Sequence, residues 1–433
     1  WPAVGPLVGV DLVGRLALRV GSLRIGTRTL RDVNLSLLPA QGAWLVEDFS
    51  LSAAGGASFQ FTGQAVATGS GPRITGEAKL AAADFRSTLL ALGYDPSSAI
   101  PLDRLRLFSG GCRLEWSGRR LTIEALEATV DSTHLTGGLT LLLHDRPALG
   151  LGLTADSINF DAYWGDGAAG GLGALAEAID ANLDIRVGTG VLAGEPLSDL
   201  AFKGRLEASV LQVETLSARS GPLTVSASGS LGGLGGSLTI DRARLSLRST
   251  DRYAAPRRFG ATVGELISGL GAFEAQIDAS GSAGQIALDG QIESSGGRLR
   301  MAGGIRQPLT DQWGFDGLRI EAADLSAERL APLLGSTTRP MLQRAGAIDG
   351  SLRLDGAGRQ PRLGGTLTVA GGTLSFDGTL EPGPLWRGAV EAAHPAPSVW
   401  LSRLDPQLSA LDPGALQIAA QATLGADLLE LAD

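Results

Sequence analysis

Residues 121–130 read Leu121-Thr-Ile-Glu-Ala-Leu-Glu-Ala-Thr-Val130. Leu121 and Ile123 alternate with Thr122 and Glu124, the period of a strand with one dry and one wet face. From Leu126 the apolar set moves to even positions, through Ala128 to Val130. A β-bulge produces that change of parity, and bulges bend a sheet. Leu211-Gln-Val-Glu-Thr-Leu216 slips in the same way. Local irregularity is the competing reading of both slips.

The alternation continues along the chain in Arg15-Leu-Ala-Leu-Arg19, Ser58-Phe-Gln-Phe-Thr62, Leu223-Thr-Val-Ser-Ala-Ser228 and Gln285-Ile-Ala-Leu-Asp289. Roughly 27 strand candidates of ordinary length can be marked. Gly55-Gly56, Gly137-Gly138, Asp289-Gly290, Gly296-Gly297, Gly371-Gly372 and Asp377-Gly378 separate many of them and supply the positive φ of hairpin turns. The expected fold is therefore mainly β, a long, twisted, mostly antiparallel, meandering sheet. Helix candidates are few: Asp84–Gly93, Gly171–Ala181, Ala261–Leu270, Leu325–Leu334 and Ser398–Leu404. They are too few to cover one face of so many strands. An apolar sheet face must be buried against something. Either a second sheet covers it, or the sheet curls into an apolar groove filled by something other than protein.

The chain also repeats itself. Arg19-Val20-Gly21 returns as Arg186-Val187-Gly188, and Leu30, Asp32, Val46 and Glu47 return as Leu197, Asp199, Val213 and Glu214. The offset is constant (186 − 19 = 167 and 214 − 47 = 167). Ile158, read as the start of a short helix, meets Leu325 at the same offset. Long internal periods belong to stacked, quasi-one-dimensional structures. Crowded Gly and Ala near Gly165–Leu175, and a second seam near Gly335–Gln343, give expected units of 1–168, 169–340 and a truncated third, 341–433.

Composition removes several function classes. A net charge of −9 argues against nucleic acid, whose partners carry basic patches. Lys79 and Lys203 are the only lysines, so Arg makes up 34 (36 − 2) of the basic residues, which reads as codon bias in a GC-rich genome. The single Cys112 rules out an intrachain disulfide and reads as a small packed filler. No stretch approaches the ~18 apolar residues of a spanning helix. Trp1–Val10 is apolar but short, and it shows neither the basic n-region nor the cleavage pattern of a secretion signal; anchors or targeting signals are expected to lie outside this sequence. The start at Trp1 and the end within Leu428–Asp433 read as a piece of a longer protein.

Chemical motifs are missing from the sequence. His134, His144 and His394 lack metal-ligand spacing. Gly188-Thr-Gly-Val-Leu-Ala-Gly194 has one residue too many for a dinucleotide fingerprint. Glu124/Glu127 and Asp180/Asp184 are carboxylate pairs that chance supplies among 45 acids. No enzyme, cofactor or metal is expected.

Asn182–Ser230 resembles a repeat of the AsmA-like family. The likeness lies in Leu197-Ser-Asp-Leu200, Gly204-Arg-Leu-Glu-Ala-Ser-Val-Leu-Gln-Val213, Leu216-Ser-Ala-Arg-Ser-Gly-Pro-Leu223 and Ser228-Gly229. Leu135–Leu141 with Asp145-Arg-Pro147 and Asp156–Asp161 is similar, as are Asp84–Asp95 and His394–Leu404. These patterns are degenerate, and their order carries the likeness over roughly residues 12–433. The resemblance implies a protein of Gram-negative bacteria, anchored in the inner membrane by a segment outside this sequence and extending through the periplasm. It implies a β-groove that shields phospholipid acyl chains moving between inner and outer membranes, in outer-membrane biogenesis. Phospholipids, both membranes and outer-membrane assembly proteins are the implied partners.

The groove-lining candidates are the apolar alternates Leu121, Ile123, Leu139, Leu141, Leu211, Val213, Leu223, Val225, Ile286 and Leu288. Alternation alone favours a closed β core for them; scarce helices and the resemblance favour the groove. Roughly 27 strands at about 4.8 Å spacing would reach on the order of 130 Å if stacked in one direction. Assembly regulation without lipid, and a structural or adhesive β-solenoid, are the alternative functions. A membrane β-barrel would want more aromatic residues than the 21 (7 Trp, 3 Tyr and 11 Phe) present.

Overall fold

The computed structural model describes residues 14–433 except 27, 70, 97–99, 164–172, 174–175, 235, 252–269, 309, 328–345, 382–384, 399–413, 425–428 and 433. The fold is mainly β and mostly antiparallel, with few short helices. The described residues form 24 strands, where the whole sequence marks roughly 27 candidates. The chain divides into two compact units, 1–218 with 233–236, and 219–232 with 237–433. The composition seams at 165–175 and 335–343 lie almost wholly outside the described residues.

The first unit holds β1 (Leu16–Ile25), β2 (Arg28–Ala40), β3 (Ala43–Ala53), β4 (Ala57–Thr68), β5 (Gly71–Ala82), β6 (Phe108–Ser117), β7 (Arg120–Val130), β8 (Thr133–Leu142), β9 (Ala148–Asn159), β10 (Asp180–Leu192), β11 (Glu195–Glu207) and most of β12 (Val210–Ser220). From β1 to β9 each strand pairs antiparallel with the next. β9 and β10 then pair in parallel, and β10 with β11 antiparallel. A parallel pair needs a crossover of a dozen or more residues. Here it begins with α2 (Phe160–Tyr163) and ends near Ala176, which is buried against Ala181 and Leu206. Arg146 fixes that end: its Nε donates to Asp180 Oδ1 at 2.6 Å, and its terminal nitrogens donate to the carbonyls of Ala176, Glu177 and Ile179.

The second unit is antiparallel from β13 through β24: β13 (Leu223–Gly232), β14 (Thr239–Ser249), β15 (Phe273–Ser282), β16 (Gln285–Ser294), β17 (Gly297–Arg306), β18 (Gly314–Ser326), β19 (Ala347–Ala357), β20 (Arg362–Val369), β21 (Gly372–Glu381), β22 (Leu385–His394), β23 (Leu416–Leu424) and β24 (Leu429–Ala432).

Several local expectations can now be compared with the backbone. The parity slip after Ile123 is a bulge: the β7–β8 register shifts between Ile123 and Leu126, and Ala125 takes φ 47°. The helix expected from Asp84 is α1 (Phe85–Ala91), with the Asp84 carboxylate accepting from Ser87 N–H. Ile158 lies in β9, so it starts no helix, and Leu325 and Ser326 are the last residues of β18. Ala181 likewise belongs to β10. In all three cases the cross-strand ladder holds residues that end-of-strand composition assigned to a following helix. The candidates 261–270 and 398–404 lie almost entirely outside the described residues.

The repeat is structural. Leu18↔Leu35 and Arg19↔Asn34 of the β1–β2 hairpin become Ile185↔Phe202 and Arg186↔Ala201 of β10–β11 when 167 is added to each number. Asp32 and Asp199 both adopt left-handed backbone, φ 52° and 53°. The same hairpin, with the same kink, is therefore built twice in the first unit.

Close backbone approach sets the glycines of the sheet interior. A Cβ on Gly76 would stand 2.2 Å from Thr62 O and 2.7 Å from Phe61 Cζ, whereas one on Gly152 would meet nothing within 4 Å. Gly76→Val is expected to destabilise the first unit by about 2 kcal/mol through overpacking, read as a lower thermal midpoint. Gly152→Val, on an open strand position, is expected to leave the midpoint unchanged or raised.

Candidate functional site

The ladders place the apolar alternates in rows that cross the strands. Directly opposed residues share a face. One row of the first unit runs Leu16, Leu37, Val46, Gly63, Gly76, Leu114, Ile123, Leu139, Leu151, Leu183 and Gly204. Beside it runs Trp44, Ala65, Ile74, Trp116, Leu121, Leu141, Leu149, Ala181 and Leu206. The intervening row, on the other face, reads Leu45, Gln64, Thr75, Glu115, Thr122, Thr140, Gly150, Asn182 and Arg205. The two apolar rows carry no charge, and the third is mostly polar. The parallel β9–β10 pair does not interrupt them, because its register keeps Leu151 opposite Leu183.

The second unit repeats the scheme independently. Val225, Leu247, Ala275, Ile292, Leu299, Ala322, Gly350, Leu367, Leu374, Ala392 and Ile418 form one row. On the other face Thr224, Arg248, Glu274, Glu293 and Arg298 follow each other. Ion pairs decorate that polar face, Arg248–Glu274 at 3.2 Å and Arg244–Asp278 at 2.8 Å. Exposed pairs of this kind add little stability; they mark which face meets water.

All ten lining candidates fall on buried or half-buried positions. Leu121, Ile123, Leu139 and Leu141 stand together, with Leu121 opposite Leu141 and Ile123 opposite Leu139. Leu211 packs against the cluster of Ala176, Ala181 and Leu206. Val213, two residues along the same strand, is half-buried between exposed Gln212 and Glu214. In the second unit Leu223 is buried with Leu270, Phe273 and Ala275, and Val225 packs on them. Leu288 lies opposite Ala279 and Gly303, and Ile286 opposite Gly281 and Ile305.

Sequence reasoning missed the aromatic contribution. Phe61 Cζ lies 3.0 Å from a Cβ built on Gly63, Phe202 Cζ 3.0 Å from one on Gly204, and Trp386 Cζ2 2.7 Å from one on Gly378. Each ring fills the space above a glycine on its own or a neighbouring strand, keeping the apolar surface continuous where the row has no side chain. The signal was present in Phe59-Gln-Phe61, but which glycine a ring covers depends on register. Cys112 lies on this face, packed against the cluster of Val46, Phe61 and Ala78, and burial pushes its thiol pKa up.

Polar clamps fix the ends of the strands. The Asp131 carboxylate accepts from the backbone N–H of Leu105, Arg106 and Leu107 and from the Tyr163 hydroxyl at 2.8 Å. Desolvation would raise this carboxyl, yet the hydrogen bonds from Leu107, Tyr163, Arg106 and Leu105 together hold it below its ordinary value. Burial and the same contact push Tyr163 up to about 12. Asp161 accepts from Ala193 and Gly194 N–H across the β10–β11 turn. His394 Nδ1 accepts from Ala396 N–H at 3.1 Å while Nε2 sits 3.1 Å from Ala370 O, a local bridge. Among the described residues no group of His, Cys, Asp and Glu could hold a metal ion, and no helix is long and apolar enough to cross a membrane.

No protein family, curated protein or solved structure matches this chain.

Because Asp131 is depressed in the folded state, its stabilisation is present above the unfolded carboxyl value, about 3.9. It is lost as pH falls through the lower folded value. Asp131→Asn is therefore expected to lower the thermal midpoint at pH 7, with the gap to the parent closing as the pH falls below about 3.9 and through the lower folded value. A gap that persists undiminished in acid would contradict the role given to the charge.

Proposed function

We propose that the chain is a periplasmic segment of an AsmA-like protein whose apolar sheet face shields phospholipid acyl chains. Transport between inner and outer membranes, in outer-membrane biogenesis, is the process it serves. The observation that carries this reading is the apolar row unbroken from β1 to β11, flanked by a second uncharged row. Its clusters, such as Val46, Phe61 and Ala78 with Leu35, Leu37 and Ile74, are drawn from the same sheet face. These side chains shield one another, and half-buried positions outnumber buried ones along the strands.

An aliphatic row this long matches an acyl chain in chemistry and offers nothing to a polar ligand. Polar alternates on the reverse face suit water. Affinity at any one position is weak and distributed, as movement along a path requires, because each methylene contributes only about 0.8 kcal/mol. The order of AsmA-like patterns along the sequence supports the same reading, and inner-membrane anchoring, both membranes and outer-membrane assembly proteins come with it as proposed partners. No catalytic step is proposed.

The test is photo-crosslinking in cells labelled with radioactive phosphate. Probes at Leu139, Val213 and Ile286 are expected to capture phospholipid, while those at Thr140, Gln212 and Gln285, on the polar face, capture none. Equal or absent label at both sets would favour a closed β core and a role in assembly without lipid. The native Cys112 gives an independent readout. A polarity-sensitive fluorophore attached there is expected to shift to the blue when phospholipid is supplied to delipidated protein.

A further inference from the structure

The antiparallel order of β1 to β9, with β10 parallel to β9, brings five connections to one edge of the first unit. They are the β1–β2, β3–β4, β5–β6 and β7–β8 connections and the β10–β11 turn. Hydrogen bonds stitch this edge together. Arg28 Nη2, beside the β1–β2 turn, donates to Leu92 O at 2.7 Å, and Thr88 Oγ1 of α1 donates to Ala54 O at 2.9 Å. Asp131, in the β7–β8 turn, joins Leu105, Arg106 and Leu107 to Tyr163 of α2. The five most exposed large apolar side chains among the described residues all stand here: Leu102, Leu92, Tyr94, Leu107 and Ile25, from 71% down to 55% exposed. Leu90 of α1 is a sixth exposed leucine on the same edge. Apolar side chains grouped in this way mark an interaction surface. The apolar face of the sheet also ends here, in Ala82, Phe108 and Val130, and Phe85 of α1 stacks on Phe108 with ring centroids 4.6 Å apart.

Charge says what this surface meets. Its acids are spent internally. Asp84 accepts from Ser87 N–H and Oγ–H, Asp131 from its four donors, Asp161 from Ala193 and Gly194 N–H, and Asp103 pairs with Arg104 at 3.3 Å. The arginines are not balanced in return. Arg28 and Arg86 donate to carbonyls and make no ion pair among the described residues. Arg86 is only 7% exposed, and its Nη1 and Arg104 Nε are buried without a hydrogen-bond partner. A buried guanidinium without a carboxylate leaves its positive charge uncompensated. The same segment carries Arg106, exposed beside Leu107, in a chain whose net charge is −9. Exposed leucines among unbalanced arginines match a layer of acyl chains under a skin of phosphate, and a tyrosine suits the boundary between the two.

We infer that this edge of the first unit docks on a lipid bilayer bearing anionic phosphates. Leu92, Tyr94 and Leu102 enter the surface, and Arg28, Arg104 and Arg106 meet the phosphates. The inference deepens the acyl-shielding reading and rests on it for the purpose of docking alone; the contact stands on the residues of the edge.

The experiment is flotation of the full chain with phosphatidylcholine vesicles, with and without phosphatidylglycerol. The chain is expected to float with the anionic vesicles and to bind the neutral ones about tenfold more weakly. Leu92→Ser combined with Leu102→Ser is expected to lower partitioning about tenfold. Leu143→Ser, at an exposed position of the β8–β9 connection on the opposite edge, is expected to leave it unchanged. Thermal midpoints equal to the parent's show that the variants fold. No flotation, equal flotation with neutral vesicles, or an equal loss in Leu143→Ser would overturn the proposal. So would a photoreactive group at Leu102 that captures another protein in cells and no phospholipid, which would make the occupant a protein. Flotation without phospholipid label at Leu139 would leave docking standing and remove acyl shielding; label at Leu139 without flotation would do the reverse.

Discussion

Everything in this molecule follows from one constraint: a sheet face of unbroken aliphatic rows has to leave water, and within each unit no full second layer of described structure covers it. The described hydrogen bonds of α1 and α2 go to connecting segments and turns. Shielding is therefore local. Small residues such as Ala78, Ala128 and Ala155 let neighbouring side chains close over them, and aromatic rings lie over glycines. Bulges at Asp32, Ala125 and Asp324 turn the strands. A sheet solved in this way keeps its residues half-buried, which is costly for a free-standing protein and useful for one whose apolar face has an occupant.

The polar features serve the same constraint from the rim. Arg146, Asp131 and Asp161 spend most of their hydrogen bonds on backbone groups at strand ends and crossovers, where the ladder cannot satisfy them. Arg86 donates likewise to the carbonyls of Ile100, Pro101 and Arg104 in the segment between β5 and β6. None of these groups points to chemistry on a substrate. Their work is to hold register, and register is what keeps Ile123 opposite Leu139 and Leu151 opposite Leu183.

Much of this was legible in the residues. Alternation identified the strands and the apolar face, because period two is a direct consequence of the pleat. The slip at Ile123–Leu126 announced the bulge. The 167-residue offset announced a hairpin built twice. The parallel β9–β10 pair was not legible, because alternation reads the same in either direction and the crossover carries no distinctive pattern. Ile158 and Leu325 were misassigned because their flanks resemble helix starts while their ladders hold them as strand. The coverage of Gly76 on β5 by Phe61 on β4 needed the third dimension: sequence lists both residues but not the register that brings them together.

The most direct measurement is the phospholipid content of the chain after purification without detergent, quantified by mass spectrometry of the extracted lipid. The account predicts phospholipid in molar excess over protein, falling sharply when charged residues replace Ile123 and Leu139 in a chain that still folds. A folded, monomeric chain that carries no phospholipid, and takes up none from vesicles, would contradict it.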